Sequence, residues 1–219
     1  MVLLNAVYFK GLWKQQFYPA STRKETFYVS PHRRSIVDMM SQIGDFRYGE
    51  SRDLEAQMLE MPYKGEEISM FVLLPRQRNT GKEIDTLIRK LNDNTLESII
   101  KGLKSQRVQI KFPKFGLETT LQDDLKKTLI QMGITDLFSH TADLTNFAPQ
   151  GCLYVEEGIH KAVIDVNEEG TEAAAVTALI LTKSAVTSRA FTCNRPFLFF
   201  IRDNAVKNIL FMGIYQEPL

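Results

Sequence analysis

The segment that most constrains what this chain can fold into is residues 167–185, Asn-Glu-Glu-Gly-Thr-Glu-Ala-Ala-Ala-Val-Thr-Ala-Leu-Ile-Leu-Thr-Lys-Ser-Ala. Small side chains dominate its first half, and nothing there can anchor a core. Residues 176–182 then supply the β-branched and aliphatic side chains that suit a strand. Written as an extended chain, Thr171, Ala173, Ala175, Thr177, Leu179 and Leu181 fall on one face, and Glu172, Ala174, Val176 and Ile180 on the other. The segment therefore reads as a loop that can become a strand, its small-residue face able to slide into an existing sheet without clashes.

The chain before it alternates between strand and helix patterns. Residues 1–10 read as a strand, as do residues 25–29, 45–48, 56–61 and 68–74, which are separated by Pro, Gly and Ser turns. Residues 84–91 and 95–103 place apolar side chains at helical spacing, with Gly102 near the second stop. Residues 108–112 alternate again before Pro113, which cannot donate to a ladder. Residues 120–132 predict a helix with a Thr start, Asp123 and Asp124 in the first turn and Gly133 at the stop. A strand over residues 153–166 leads into the loop-like segment, and residues 197–201 and 208–215 read as a hairpin buried on both faces. No repeat or linker divides residues 1–219, so a single α+β domain is expected, with antiparallel-rich sheets and a few helices.

Hydrophobic residues make up 44% of the chain and charged residues 24%, enough for a sizeable core. With 27 basic against 26 acidic residues, no global field selects nucleic acid or an anionic membrane. Arg23, Lys24, Arg33 and Arg34 read as solvated loop charges ahead of a local basic patch. No apolar run is long enough to span a bilayer, and Cys152 and Cys193 are too few and too far apart for a disulfide framework or a zinc site. The first residues lack the pattern of a signal peptide, and no Asn-x-Ser/Thr acceptor is present, which on its own points to the cytoplasm. The histidines, His32, His140 and His160, carry no supporting hydrolase motif, and no P-loop, dinucleotide fingerprint or metalloprotease helix occurs. An enzyme is not expected, nor a cofactor or a metal. His160 stands out because it lies inside the apolar run Ile159-His-Lys-Ala-Val163, where an imidazole needs a hydrogen-bond partner.

Taken with Ile159-His-Lys-Ala-Val-Ile-Asp-Val-Asn167 upstream and Asn194-Arg-Pro-Phe-Leu-Phe-Phe-Ile-Arg-Asp203 downstream, residues 167–185 resemble the hinge and reactive loop of the serpins. Leu4-Asn-Ala-Val-Tyr-Phe-Lys-Gly-Leu-Trp13, Phe71-Val-Leu-Leu-Pro75, Gly133-Ile-Thr-Asp-Leu-Phe138, Ala142-Asp-Leu144 and Leu210-Phe-Met-Gly213 match family segments in order, over essentially the whole chain. The resemblance implies the C-terminal portion of a serpin fold, with an exposed reactive loop at about 168–190. A large helical portion is expected before Leu3; without that layer, these residues alone are expected to fold poorly. The resemblance also implies secretion to the extracellular space, against the cytoplasmic reading above.

The implied activity is inhibition of serine proteases, trypsin-like or elastase-like, by a suicide-substrate route. The hinge is Glu169, Gly170, Thr171, Glu172, Ala173, Ala174 and Ala175, and the reactive bond lies among Lys183, Ser184 and Ala185. Family spacing from Gly170 puts Ser184 in the protease's specificity pocket, whereas a trypsin-like pocket would choose Lys183; Arg189 lies too far along. Asn5, His160 and Trp13 are the implied cluster that governs sheet opening, with Asn5 as the partner of His160. The alternatives are a non-inhibitory carrier or chaperone and an inactive fragment. Non-inhibitory members usually carry charged, bulky or proline residues where Ala173, Ala174 and Ala175 stand. Neither nucleic acid nor membrane is an implied partner, and nothing in the sequence selects for or against a glycosaminoglycan.

Overall fold

A computed structural model describes residues 1–76, 80–147, 149, 153–169 and 188–218. In chain order the elements are β1 (Val2–Phe9), β2 (Arg23–Ser30), β3 (Arg33–Ser51), β4 (Ala56–Pro62), β5 (Ile68–Pro75), α1 (Glu83–Lys90), α2 (Asp93–Gly102), β6 (Lys104–Pro113), β7 (Phe115–Leu121), α3 (Asp123–Gln131), β8 (Glu157–Val166), β9 (Arg189–Thr192), β10 (Phe197–Asp203) and β11 (Ile209–Tyr215). They fall into two compact units, Met1–Lys10 with Gly116–Asp165, and Gly11–Phe115 with Val166–Leu219.

The smaller unit is built on a three-stranded sheet of order β1-β8-β7. β1 and β8 are direct parallel neighbours, in register from Val2 opposite Glu157 to Phe9 opposite Ile164. Lys161 on β8 pairs with Glu118 on β7 at 2.6 Å. α3 begins at Asp123, later than the residues at which the sequence predicts it. Thr119 and Thr120 instead continue β7, where β-branched side chains suit a pleated surface. β8 likewise starts at Glu157, and residues 153–156 approach it without regular structure.

The larger unit carries an eight-stranded sheet of order β11-β10-β5-β4-β3-β6-β9, with β2 paired to β3 off this path. Residues 45–48 are not a separate short strand: they belong to β3, which runs unbroken for 19 residues. Arg33 and Arg34 accordingly sit in that strand, and Arg23 and Lys24 in β2, rather than in loops. Along β6, Val108, Ile110 and Phe112 are buried while Arg107 and Gln109 face solvent, the period-two pattern of a half-buried strand. β5 and β10 are buried at nearly every position because neighbours cover both faces. On one of those faces Phe71 stacks on Phe200 at 5.0 Å, and α1 and α2 close over them with Ile84, Leu87, Ile99 and Ile100. α2 starts at a reciprocal cap between Asn92 and Thr95. An aromatic layer of Phe112, Phe115, Phe197, Phe199 and Tyr215 also packs within this unit.

β11 departs from the expectation of burial on both faces. It ends the sheet, so Ile209, Leu210 and Met212 remain exposed, Met212 at 52%. A continuous apolar run signals a strand buried on both faces only where other layers of the fold cover both of them.

Candidate functional site

The residues that enter the loop-like segment are fixed by one short stretch near the start of the larger unit. Trp13 is 4% exposed and stacks on Tyr63 with ring centroids 4.5 Å apart. Clamped in that way, its indole N–H donates to the carbonyl of Asn167 at 2.9 Å. The Gln16 side-chain amide donates to the carbonyl of Glu169 at 2.9 Å. The Phe17 backbone N–H donates to the carbonyl of Glu168 at 3.0 Å. Asn167, Glu168 and Glu169 thus have their backbone acceptors satisfied in succession, the condition under which a chain can leave a strand without a desolvation penalty.

Glu168 is the side chain around which this anchorage is assembled. It is 8% exposed, with one carboxylate oxygen accepting from the Thr22 hydroxyl at 2.8 Å and the other paired with the Lys114 ammonium at 2.9 Å. Burial pushes its pKa up, but the Lys114 bond, a backbone hydrogen bond and the Thr22 bond outweigh burial and hold it below the usual carboxylate value. Glu169, the one hinge residue that is described, is exposed, and its N–H donates to the Asn167 side-chain oxygen at 3.1 Å.

Downstream of the loop-like segment, β9 pairs in parallel with β6 from Val108 opposite Arg189 to Lys111 opposite Thr192. Phe191 is fully buried, with Tyr48 edge-on at 6.3 Å, and the Cys193 N–H donates to the Lys111 carbonyl at 2.9 Å. Burial pushes the Cys193 thiol far above its ordinary pKa, so it is no nucleophile.

The hinge residues Gly170, Thr171, Glu172, Ala173, Ala174 and Ala175, and the reactive-bond residues Lys183, Ser184 and Ala185, lie outside the described residues. Asn5 and His160 do meet, as register partners across β1 and β8. The expected hydrogen bond does not form: His160 is half-buried, Asn5 is exposed, and no side-chain bond joins them among the described residues. Partial exposure removes the cost that a fully buried imidazole would carry. Trp13 belongs to the larger unit, where its partners are Tyr63, Phe17 and Asn167. His32 is exposed in the turn between β2 and β3, and His140 stacks edge-on against Tyr154.

Sequence reading missed Glu168 as a buried carboxylate, together with its partners Thr22 and Lys114 and the anchoring pair Gln16 and Phe17. A signal for Glu168 was present. Ile164 and Val166 are the inward-facing positions at the end of β8, and one further step of the alternation lands on Glu168, a buried carboxylate that must find a cation. Nothing local points to Lys114 as that cation.

Comparison with known proteins agrees with this geometry. A family model described as Serpin (serine protease inhibitor) matches residues 1–218. Intracellular coagulation inhibitor 1 of Tachypleus tridentatus is 41% identical over 215 residues, covering 97% of this chain and 51% of that protein. Serpin B3 of Homo sapiens is 39% identical over 225 residues, covering 100% of this chain and 56% of that protein. Among solved structures, uncleaved ovalbumin superposes with a TM-score of 0.85 at 30% identity, over 99% of this chain and 54% of the other. The chain therefore spans about half the length of the relatives it matches.

Proposed function

This chain belongs to the serpin family, and from that premise we propose that the protein carrying it inhibits trypsin-like or elastase-like serine proteases as a suicide substrate. The observation that carries the reading is the direct parallel pairing of β1 with β8, continuous with an anchored segment that leads into small residues. In this reading the protease serine attacks the carbonyl of Lys183 or Ser184, an acyl bond forms, and the amine of the next residue leaves. The hinge, Glu169, Gly170, Thr171, Glu172, Ala173, Ala174 and Ala175, then enters between β1 and β8. Carried along, the protease loses the aligned oxyanion hole and triad that supply most of its rate, and the acyl bond persists. The energetics allow it: about a dozen inserted residues at ~1 kcal/mol per net hydrogen bond rival a domain's ~5–15 kcal/mol stability. Loop insertion in serpins is a standard instance of strand addition and strain release rather than a deduction from this chain.

One relative is called an intracellular coagulation inhibitor, so action inside the cell stands beside secretion in this proposal, and cell fractionation decides between them. The carrier or chaperone reading is disfavoured by Ala173, Ala174 and Ala175, which place no bulk or charge where insertion begins. The test is to mix the full-length protein with trypsin and with elastase and look for an SDS-resistant complex. Thr171→Arg is expected to abolish it and leave plain cleavage, because a long cation on the inward face would be buried unpaired. Undiminished complex formation by that variant would overturn insertion. The mass of the C-terminal fragment, beginning at Ser184 or Ala185, identifies the bond.

A further inference from the structure

Away from the loop anchorage, a cavity of about 360 Å³ opens within the larger unit where β2 turns into β3, beside the start of α1 and of β10. Tyr28, Pro75 and Pro196 give it apolar walls, and its charged lining among the described residues is Arg34, Glu83 and Arg195. Tyr28 and Arg34 are cross-strand partners, and the Arg34 guanidinium lies over the Tyr28 ring at 5.3 Å from the centroid. A cation–π contact of this kind holds a guanidinium over the ring face without using its N–H donors. Among the described residues no carboxylate forms an ion pair with Arg34.

Arg195 is oriented from the opposite direction of the chain. Its Nε donates to the Pro75 carbonyl at 2.9 Å and one terminal nitrogen to the Asn194 side chain at 3.3 Å, which leaves the other terminal nitrogen without a described partner. Burial holds its pKa below the ordinary guanidinium value, with Cys193 and Glu83 opposing that effect. An anion brought alongside would therefore stabilise a charge that the protein itself stabilises poorly. Glu83 accepts from the Thr80 N–H at 2.8 Å.

We propose that this cavity binds a small aromatic monocarboxylate, its carboxylate taken by Arg34 and Arg195 and its ring lying against Tyr28, Pro75 and Pro196. The volume sits at the small end of ligand pockets, roughly 300–1,000 Å³, and suits a one- or two-ring molecule. Charge selects the class. Among the described residues of the lining, two arginines against one glutamate favour a single negative charge, and Glu83 disfavours a dianion such as phosphate. Planar guanidinium edges match a carboxylate in bidentate fashion. This site is independent of the inhibitory reading and of the loop.

The experiment titrates the full-length protein with naphthalene-2-carboxylate, followed by calorimetry, alongside the neutral isostere 2-naphthalenemethanol. Saturable binding of the acid is expected, weaker by about tenfold or more for the alcohol, as loss of a charge-assisted contact implies. Arg34→Gln, at an exposed strand position, is expected to weaken acid binding by about the same factor. Glu83→Gln should tighten it, and Arg23→Gln, outside the cavity, should leave it unchanged. Equal affinity for acid and alcohol, an acid affinity unmoved by Arg34→Gln in a variant with native circular dichroism, or no saturable binding at all would each overturn the assignment.

Discussion

Glu168 concentrates in one side chain much of what holds the loop's entry in place. Its carboxylate is buried, with the Lys114 ammonium, the Thr22 hydroxyl and a backbone hydrogen bond as its partners among the described residues. Replacing it with Gln removes the ion pair with Lys114 and is expected to destabilise the fold by about 1–2 kcal/mol, read as a lower urea midpoint. Lys114→Met should cost a similar amount, and the double variant less than the sum, because both single changes remove the same ion pair. The pH dependence has a definite sign. The folded pKa of Glu168 is lowered, so the native state binds its proton less readily than the unfolded chain does. Its stabilisation is complete above the unfolded carboxylate pKa of about 4.3 and disappears as the pH falls through the lower folded value. The stability gap between parent and Glu168→Gln should therefore be full at neutral pH and close in that acid window. A gap that persists below it would show that Glu168 acts by packing alone. Gly213 is a second residue with no freedom: a Cβ there would meet the Phe199 ring at 2.8 Å, straight across the β10–β11 ladder. Gly213→Ala is expected to cost about 1–3 kcal/mol by overpacking and to lower the calorimetric midpoint by several degrees.

At the scale of elements, the pairing of β1 with β8 makes the proposed mechanism testable without touching the loop. Ala6 and Lys161 face each other in register, and both are exposed. Neighbouring strands hold opposed residues within disulfide reach, so Ala6→Cys with Lys161→Cys should bridge when oxidised. The cost of losing the Lys161 pair with Glu118 is small because both are solvated. Oxidised full-length protein is expected to be cleaved as a substrate, and reduced protein to regain inhibition; equal inhibition in both states would exclude opening between these strands. The element scale is also where sequence reading was uneven. β5, β6 and β10 were legible because their alternation or continuous apolarity runs without a break. β3 was not, since Gly44 and Gly49 inside it look like turn residues. The structure gives Gly44 a different role: the place of a Cβ there is taken by the Gln15 side chain and the Phe46 ring. The glycine is a packing requirement, and a local rule sees only its conformational freedom. The proximal anchorage was illegible for a related reason, because Trp13, Gln16 and Phe17 reach Asn167, Glu169 and Glu168 across about 150 residues of chain.

Taken as a whole, the described chain distributes its buried apolar residues unequally. In the larger unit β4, β5 and β10 are almost entirely buried, while in the smaller unit only a few side chains, such as Val155 and Ile164, are. Hydrogen exchange on this chain should therefore find its slowest amides in β4, β5 and β10. β1, an end strand whose residues are mostly exposed, should exchange faster by on the order of tenfold or more. Uniform protection across both units would mean that they unfold only together.

The burial of Phe191, Phe197, Phe200, Ile201 and Tyr215 has a consequence for any backbone cut between residues 170 and 187. The piece that begins after the cut carries β9, β10 and β11, and its large apolar side chains each contribute roughly 1.5–3 kcal/mol of burial. It would stay where it is, a light subunit docked on a heavy one, and the nicked molecule would behave as a tight heterodimer. Gel filtration and light scattering would report an unchanged particle, heavier by one water. Only a denaturant would reveal that the covalent thread had been severed.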